Sequence, residues 1–289
     1  MKDQEKFARD IESIAVRALL YEVSTTPKPG LVDRKNNGAH RDMDFFTFID
    51  SSIVLGQIFY DATLTGIAYK GDLKELLHAI RPIGRSGEEK MFAVTNGVNT
   101  HKGLIFSLGI IAAAIGSLYQ EKKRDRWLAY DICNQVKLMT KDLVDQELKK
   151  KDFGKALTYG EQLYVKHGIT GIRGEVASGF QTVCTYGLPL LKGLMKSKKG
   201  TFNERLIQVL LCLMVHTEDS NILGRHDLDM LQKVQARAKI VFEQGGVFSK
   251  NGLENIEEFD KWCINHWVSP GGAADLLAIT IMLYLVEQI

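Results

Sequence analysis

Apolar residues recur along most of this chain at intervals of three and four, the spacing of the buried face of a helix. The first such segment, from Lys6 to Tyr21, places Phe7, Ile11 and Ile14 on one face. Alternation typical of strands is rare, and 247–249 is the one segment where a short strand is an alternative. The pattern predicts helices over 5–22, 43–66, 72–80, 86–97, 102–119, 125–148, 152–167, 174–186, 202–216, 226–243, 255–267 and 273–287.

One of these segments is apolar on all sides. The run from Gly103 to Gln120 carries no charge and reaches the roughly 18 residues that a membrane-spanning helix needs. Its glycines and its lack of an aromatic or basic belt favour a buried core helix over a spanning one. We therefore expect an all-α fold with no membrane span, packed around helix 102–119.

Proline and glycine divide the chain into these segments. Proline occurs at 27, 29, 82, 189 and 270, each in a predicted connection or at a predicted helix end, as its missing N–H requires. The chain contains no internal repeat, no low-complexity stretch and no linker long enough to separate two units. A single all-helical domain over 1–289 is expected.

Composition narrows the class of protein. The 289 residues are 45% apolar and carry a net charge of +2, which is too small to indicate nucleic-acid binding. Short basic runs at 122–124, 149–151 and 196–199 are typical of solvated helix ends. The four cysteines form no C-x-x-C pair and the N-terminus lacks a secretory pattern, so free thiols in the cytoplasm are expected.

The loop after the first helix concentrates polar chemistry. Its two prolines hold it extended, Ser24 and Thr25 supply hydroxyls, and Lys28 supplies a mobile cation. Glu22 and Asp33 bracket it with carboxylates. Such a loop suits a polyphosphate with its metal ion, and an ordinary helix-ending loop is the alternative.

A second polar group directly precedes the apolar helix. Asn99, Thr100, His101 and Lys102 are expected at its N-terminus, where free N–H groups and the helix dipole favour anions. Lys102 adds a charge for phosphate, and His101 can donate to phosphate or move a proton. The alternative is a simple N-cap with His101 and Lys102 in solvent.

A third group follows the apolar segment 206–215. We predict that Glu218 and Asp219 end that helix, where two carboxylates oppose the dipole and need Mg²⁺ or Arg225 as compensation. Ser220 and Asn221 complete the group. A surface turn is the alternative, because Asp, Ser and Asn are common turn residues.

Three further positions have two interpretations each. Arg173 could bind phosphate and Glu175 could act as a base, or the two could neutralise each other. Asp44 is expected to cap a helix, with a metal-binding role as the alternative. The small residues of 271–275 indicate either close helix packing or the approach of a ligand, with packing favoured.

Read together, five segments resemble the triphosphoribosyl-dephospho-CoA synthase family, which makes the prosthetic-group precursor of the citrate lyase acyl carrier protein and, in a sister branch, of malonate decarboxylase. They occur in the family's order and span nearly the whole chain, and the citrate lyase branch fits better. The segments are 24–33 (STTPKPGLVD), 37–48 (NGAHRDMDFFTF), 97–103 (GVNTHKG), 217–221 (TEDSN) with Arg225, and 271–275 (GGAAD).

The resemblance implies an all-helical enzyme that transfers the triphosphoribosyl group of ATP to the 2′-hydroxyl of 3′-dephospho-CoA and releases adenine. Mg²⁺ is the implied cofactor, with metal ligands drawn from Glu22, Asp33 and Asp219. The implied catalytic carboxylates are Asp33, Glu175 and Asp219. The implied substrate-binding residues are Ser24, Thr25, Lys28, Asn99, Thr100, His101, Lys102, Arg173, Ser220, Asn221 and Arg225.

Two other classes remain compatible with the residues alone. An all-α, Mg²⁺-dependent nucleotide hydrolase or phosphotransferase would use the same carboxylates and cations. A non-catalytic helical adaptor would scatter the polar loops over its surface, whereas an enzyme would bring them into one cleft.

Overall fold

The described residues fold into helices, as the apolar periodicity of the chain predicts. A computed structural model describes residues 2–119, 127–149, 157 and 159–289, and these ranges contain helices and no strand. The helices are α1 (Lys2–Ser24), α2 (Phe45–Val54), α3 (Gly56–Ala68), α4 (Leu73–Val94), α5 (Lys102–Tyr119), α6 (Ala129–Met139), α7 (Tyr159–His167), α8 (Gly171–Ala177), α9 (Leu188–Ser197), α10 (Phe202–His216), α11 (Ser220–Arg225), α12 (Leu228–Glu243), α13 (Gly252–Asn265) and α14 (Gly271–Val286).

The all-α prediction is confirmed, and α5 and α10 have the predicted bounds. Asp44 caps α2, as expected, because its carboxylate accepts from the N–H of Thr47 at 2.9 Å. The expected starts of two helices, at 125 and 152, lie outside the described residues, as do the basic run 122–124 and residues 150–151.

Several predicted boundaries are wrong for physical reasons. Helix α4 continues through Pro82, because that residue lies exposed on the solvent face while Leu76 and Met91 anchor the helix to the core. Helix α9 is absent from the prediction, which places Pro189 in a connection. Pro189 instead occupies the first turn of α9, where no N–H is needed. The segment 43–66 divides at Leu55 into α2 and α3.

Two short segments also differ from expectation. The segment 174–186 forms α8 followed by a π-helical turn, Val183–Gly187, instead of one helix. The possible strand at 247–249 is a 3₁₀ turn, Gly246–Phe248.

The apolar helix α5 is the centre of the hydrophobic core. It packs against α3, α4, α6 and α14, and Ile111, Ala112 and Ile115 are fully buried. Within the described residues it is the one helix long and apolar enough to cross a membrane, and 72% of it is buried inside the fold. That burial is the arrangement predicted for a core helix.

Glycines allow α3 and α5 to approach closely. A Cβ on Gly116 would overlap the carbonyl oxygen of Thr63, and a Cβ on Gly66 would overlap that of Ala113. The two helices therefore touch backbone to backbone, which fixes the position of α5 and of the polar residues at its start.

All four cysteines carry free thiols, as predicted. The fold nevertheless brings two of them together, with the sulfurs of Cys133 on α6 and Cys184 in the π-helical turn 3.1 Å apart.

The close crossing of α3 and α5 yields a stability prediction. We expect Gly116→Ala to destabilise the protein by about 1–3 kcal/mol, because the added methyl group forces the helices apart. Gly109→Ala in the same helix is the matched control, since no atom lies within 4 Å of a Cβ there. It should stabilise by up to about 1 kcal/mol through helix propensity. Urea denaturation of both variants measures the difference, and equal effects would contradict it.

Candidate active site

The predicted polar segments converge on two adjoining cavities. The small cavity, about 280 Å³, lies between the loop after α1 and the starts of α5 and α14. The large cavity, about 770 Å³, lies between the starts of α5 and α14, helices α8 and α11, and the end of α10. The residues that line both cavities are Asn99, Lys102, Gly103, Asn221 and Asp275. This convergence is the arrangement expected of an enzyme and not of an adaptor.

The start of α5 forms the partition between the cavities. The side chain of Asn99 accepts from the backbone N–H of Lys102 at 3.1 Å, so it caps the helix. Lys102 is half exposed and its ammonium lies 2.9 Å from the carboxylate of Glu88. The predicted polar group therefore lies at the N-terminus of α5, with the ammonium of Lys102 paired to a carboxylate.

His101 is buried and not solvated, so the simple-cap alternative is wrong for His101, although the cap by Asn99 and the exposure of Lys102 agree with it. Thr100 donates to the hydroxyl of Ser51 at 2.7 Å, and Ser51 contacts Nδ1 of His101 at 2.7 Å. Burial, and secondarily the charge of Lys28, lowers the pKa of His101 to about 3, so the ring is neutral. Because the hydroxyl of Ser51 accepts from Thr100, it donates to Nδ1, and the ring proton therefore lies on Nε2. Among the described residues this Nε2 is buried without a hydrogen-bond partner, and His101 lines the small cavity.

The carboxylate of Asp33 organises the loop after α1. One oxygen accepts from the hydroxyl of Thr26 at 2.8 Å and from the N–H of Lys28 at 2.9 Å. The other accepts from the N–H groups of Lys35 at 2.6 Å and Asn36 at 3.1 Å. Asp33 is thus buried and accepts from four donors. Two of the three predicted metal ligands, Asp33 and Asp219, line neither cavity.

Lys28 differs from the mobile cation that was predicted. It is 1% exposed, and its ammonium forms a buried ion pair with Glu22 at the wall of the small cavity. Burial raises the pKa of Glu22, and Lys28 opposes that shift. The sequence pattern could not show this burial, because it depends on α14 and α5 closing over the loop.

Ser24 and Thr25 form hydrogen bonds at the end of α1. The hydroxyl of Thr25 donates to the carbonyl of Tyr21 at 2.7 Å, and the carbonyl of Ser24 accepts from Arg34 at 2.6 Å. Neither residue lines either cavity.

Asp219 begins a helix, and the prediction that it ends one is wrong. It caps α11 by accepting from the N–H groups of Asn221 at 2.9 Å and Ile222 at 3.3 Å. Its second oxygen accepts from the N–H of Ala273 in α14 at 3.0 Å. Burial raises the pKa of Asp219, and these backbone donors oppose that shift without cancelling it. Two helix N-termini therefore hold the carboxylate, while Arg225 donates to the carbonyl of Ala39 instead.

The predicted neutralisation of Arg173 by Glu175 does not occur. Arg173 donates to Glu147 at 2.7 Å, and Glu147 also pairs with Arg81. Glu175 instead accepts from the hydroxyl and the N–H of Thr182. Burial raises the pKa of Glu175, and all of these residues line the large cavity.

Arg225 lies at the small cavity. Its guanidinium donates to the carbonyl of Ala39 at 3.2 Å and lies 3.4 Å from Nδ1 of His40. Burial and the charge of Arg225 lower the pKa of His40 to about 4, so Arg225 faces a neutral ring. Ser220 lines the large cavity and Asn221 lines both, and their ligand-binding role stays a prediction.

The structure adds residues that the sequence interpretation missed. Asp275, in the first turns of α14, lines both cavities, although its segment was interpreted as a packing motif. Tyr186 and His216 form a stacked pair at the large cavity, with ring centroids 3.6 Å apart and planes 3° apart. Helical periodicity carries no signal for such a pair, because the two residues belong to different segments.

The fold and the cavities define an all-helical enzyme with a polar, nucleotide-sized cleft between helix N-termini. Residues 8–289 match the family model described as CitG: ATP:dephospho-CoA triphosphoribosyl transferase, and the chain belongs to this family of transferases. No solved structure gives a significant match.

Two relatives are similar over nearly their full length. The chain is 39% identical over 281 residues to a probable 2-(5″-triphosphoribosyl)-3′-dephosphocoenzyme-A synthase of Malonomonas rubra, covering 96% of this chain and 88% of that protein. It is 38% identical over 291 residues to a protein of the same name from Streptococcus pyogenes serotype M5 (strain Manfredo), covering 96% and 97%.

The buried ion pair of the small cavity yields a second prediction. We expect Lys28→Met to destabilise the protein by about 3–5 kcal/mol, because it leaves the carboxylate of Glu22 buried without its partner. Lys102→Met is the control, and it should cost less than about 1 kcal/mol because its ion pair is exposed. Thermal unfolding without ligand compares the two.

A double variant separates the charge from the packing. Glu22→Gln combined with Lys28→Met should recover part of the lost stability, since no unpaired charge remains. Equal midpoints for Lys28→Met and Lys102→Met would contradict the buried pair.

Proposed function

We propose that this chain joins C1 of the ATP ribose to the 2′-hydroxyl of 3′-dephospho-CoA, with the triphosphate retained and adenine released. The observation that carries the proposal is the meeting of two polar cavities at the start of α5. A transfer between two nucleotides needs two binding spaces that share one reaction point. A hydrolase needs one nucleotide space and an access path for water.

The small cavity suits the triphosphate. Its volume is modest, and its lining includes the N-terminus of α5, the cations of Lys102 and Arg225, and His101. Among the described residues, the Nε2 of His101 is buried behind this wall without a hydrogen-bond partner. Donors without a protein partner and a helix N-terminus favour phosphate oxygens. The lining loop also contains Lys28, whose ammonium pairs with the carboxylate of Glu22.

The large cavity suits the acceptor and the bases. It offers about 770 Å³ and the stacked pair of Tyr186 and His216, on which a purine ring can lie. Arg81 and Arg173 lie on its wall, where they can contact the diphosphate of the acceptor.

Mg²⁺ is proposed to enter with ATP. No group of three or more His, Cys, Asp or Glu side chains suited to a metal ion occurs in the described residues. Mg²⁺ commonly takes only one or two carboxylates beside phosphate oxygens and water, so this is compatible with a phosphate-borne ion. Of the three predicted ligands Glu22 lines the small cavity, and its second oxygen is outside the ion pair.

The wider context follows from the motif resemblance. The citrate lyase acyl carrier protein is the proposed destination of the product, and the cytoplasm is the proposed location.

The products of the reaction test the proposal. Incubation with ATP, Mg²⁺ and 3′-dephospho-CoA should release one adenine for each dephospho-CoA adduct that carries triphosphoribose, as measured by mass spectrometry. Omitting dephospho-CoA should abolish adenine release. Phosphate or pyrophosphate without adenine would favour a hydrolase, and activity after chelation of Mg²⁺ would remove the metal from the mechanism.

The assignment of the small cavity is tested by ATP affinity. Arg225→Gln removes a charge-assisted phosphate contact, so binding should weaken by about 1.5–3 kcal/mol, roughly 10- to 150-fold in Kd. Lys233→Gln is the matched control, because Lys233 pairs with Asp229 on the exposed face of α12. Calorimetric titration measures both. Equal affinities in the two variants would place the triphosphate elsewhere.

A further inference from the structure

Asp275 occupies the place where two substrates would meet. It lies in the first turns of α14 and is the one carboxylate among the five residues that line both cavities. A Cβ on Gly103 would overlap one of its oxygens, so the carboxylate lies directly against the start of α5. The packing of two helices thus holds a negative charge at the partition between the cavities.

Other carboxylates that are buried at or near the cleft are already engaged. Glu22 pairs with Lys28, Glu175 accepts from Thr182, and Asp219 accepts from backbone N–H groups. Asp33 accepts four hydrogen bonds, as described above. Within the residues that the structure describes, the carboxylate of Asp275 has neither a hydrogen bond nor an ion pair, so it is open to the cavities.

An unpaired carboxylate between helices is costly for folding. Burial raises the pKa of Asp275 well above its usual range, and the charges of Glu22 and Asp219 add to that shift. The raised pKa makes the carboxylate a better proton acceptor than an ordinary Asp. A carboxylate that the fold keeps at this cost in stability is expected to take part in the reaction in the cleft.

We infer that Asp275 is the general base of the transfer, and that it accepts the proton of the acceptor 2′-hydroxyl. This inference rests on the proposed function. As the proton leaves, the 2′-oxygen forms a bond to C1 of the ATP ribose, and the bond from C1 to N9 of adenine breaks. Its electron pair departs with adenine, which takes up one proton, and Asp275 later returns its own proton to solvent. The same carboxylate stabilises the positive charge that develops at C1.

Asp275→Asn tests the inference because it keeps the shape and removes the base. We expect adenine release to fall roughly 10²-fold or more, while ATP affinity stays within about threefold. The comparison variants are Asp219→Asn, which should lower the thermal midpoint by removing an acceptor from two helix starts, and Glu175→Gln, which removes another partly buried carboxylate of the large cavity.

The pH dependence of stability tests whether the carboxylate of Asp275 is unpaired in the folded protein, which a loss of activity alone cannot show. The folded-state pKa of Asp275 is raised, so its charge costs stability as pH rises above the ordinary Asp range. Asp275→Asn should therefore be at least as stable as wild type at neutral pH, with the difference shrinking in acid. The acid limb of the wild-type rate profile should be absent from its residual activity.

The possible failures are distinguishable. An active wild type with an equally active Asp275→Asn variant would overturn this inference alone. The same conclusion would follow if Glu175→Gln abolished adenine release while Asp275→Asn retained it. A wild type that releases no adenine would overturn the proposed function and this inference with it. A lower midpoint for Asp275→Asn than for Asp219→Asn would assign Asp275 to the scaffold.

Discussion

The buried carboxylate of Asp219 determines how the cleft is assembled. A charge that is 2% exposed needs donors, and the backbone N–H groups at two helix starts provide them. One oxygen therefore holds α11 and the other holds α14. Gly272 allows this approach, because a Cβ there would lie 3.0 Å from the carboxylate. The connection fixes Asn221 and Asp275 relative to each other, although 54 residues separate them in the chain.

The core helix supplies the third side of the same assembly. Backbone contact at Gly66 and Gly116 sets the depth of α5, and the cap by Asn99 sets where it begins. Its first turn then meets the first turns of α14 at Gly103. Three helix starts consequently meet around one space, and the dipoles of two of them already face the carboxylate of Asp219.

The helical class, the central helix and most functional segments could be predicted from the sequence. Apolar periodicity reports burial directly, so α5 and α10 were predicted with their bounds. Motif resemblance identified segments that converge in space. Apolar periodicity could not show which hydrogen-bond or ion-pair partner each charged side chain has. Asp219 was expected to oppose one helix and instead begins the next, because a cap depends on φ and ψ at a single residue. Lys28 was expected to be a mobile cation and is buried in an ion pair, at a cavity that α5 and α14 also line.

The charges of the cleft constrain which ligand can bind there. Most of its cations already have carboxylate partners: Lys28 with Glu22, Lys102 with Glu88, and Arg81 and Arg173 with Glu147. A ligand with a single negative charge would exchange one carboxylate for another and gain little. A triphosphate gains more, since several charges act on several cations at once. In the proposed reaction, the carboxylates that it displaces would lie beside the phosphates, where Mg²⁺ would reduce the repulsion. The pairing of these charges would then favour a polyanion that brings its own cation over a ligand with a single charge.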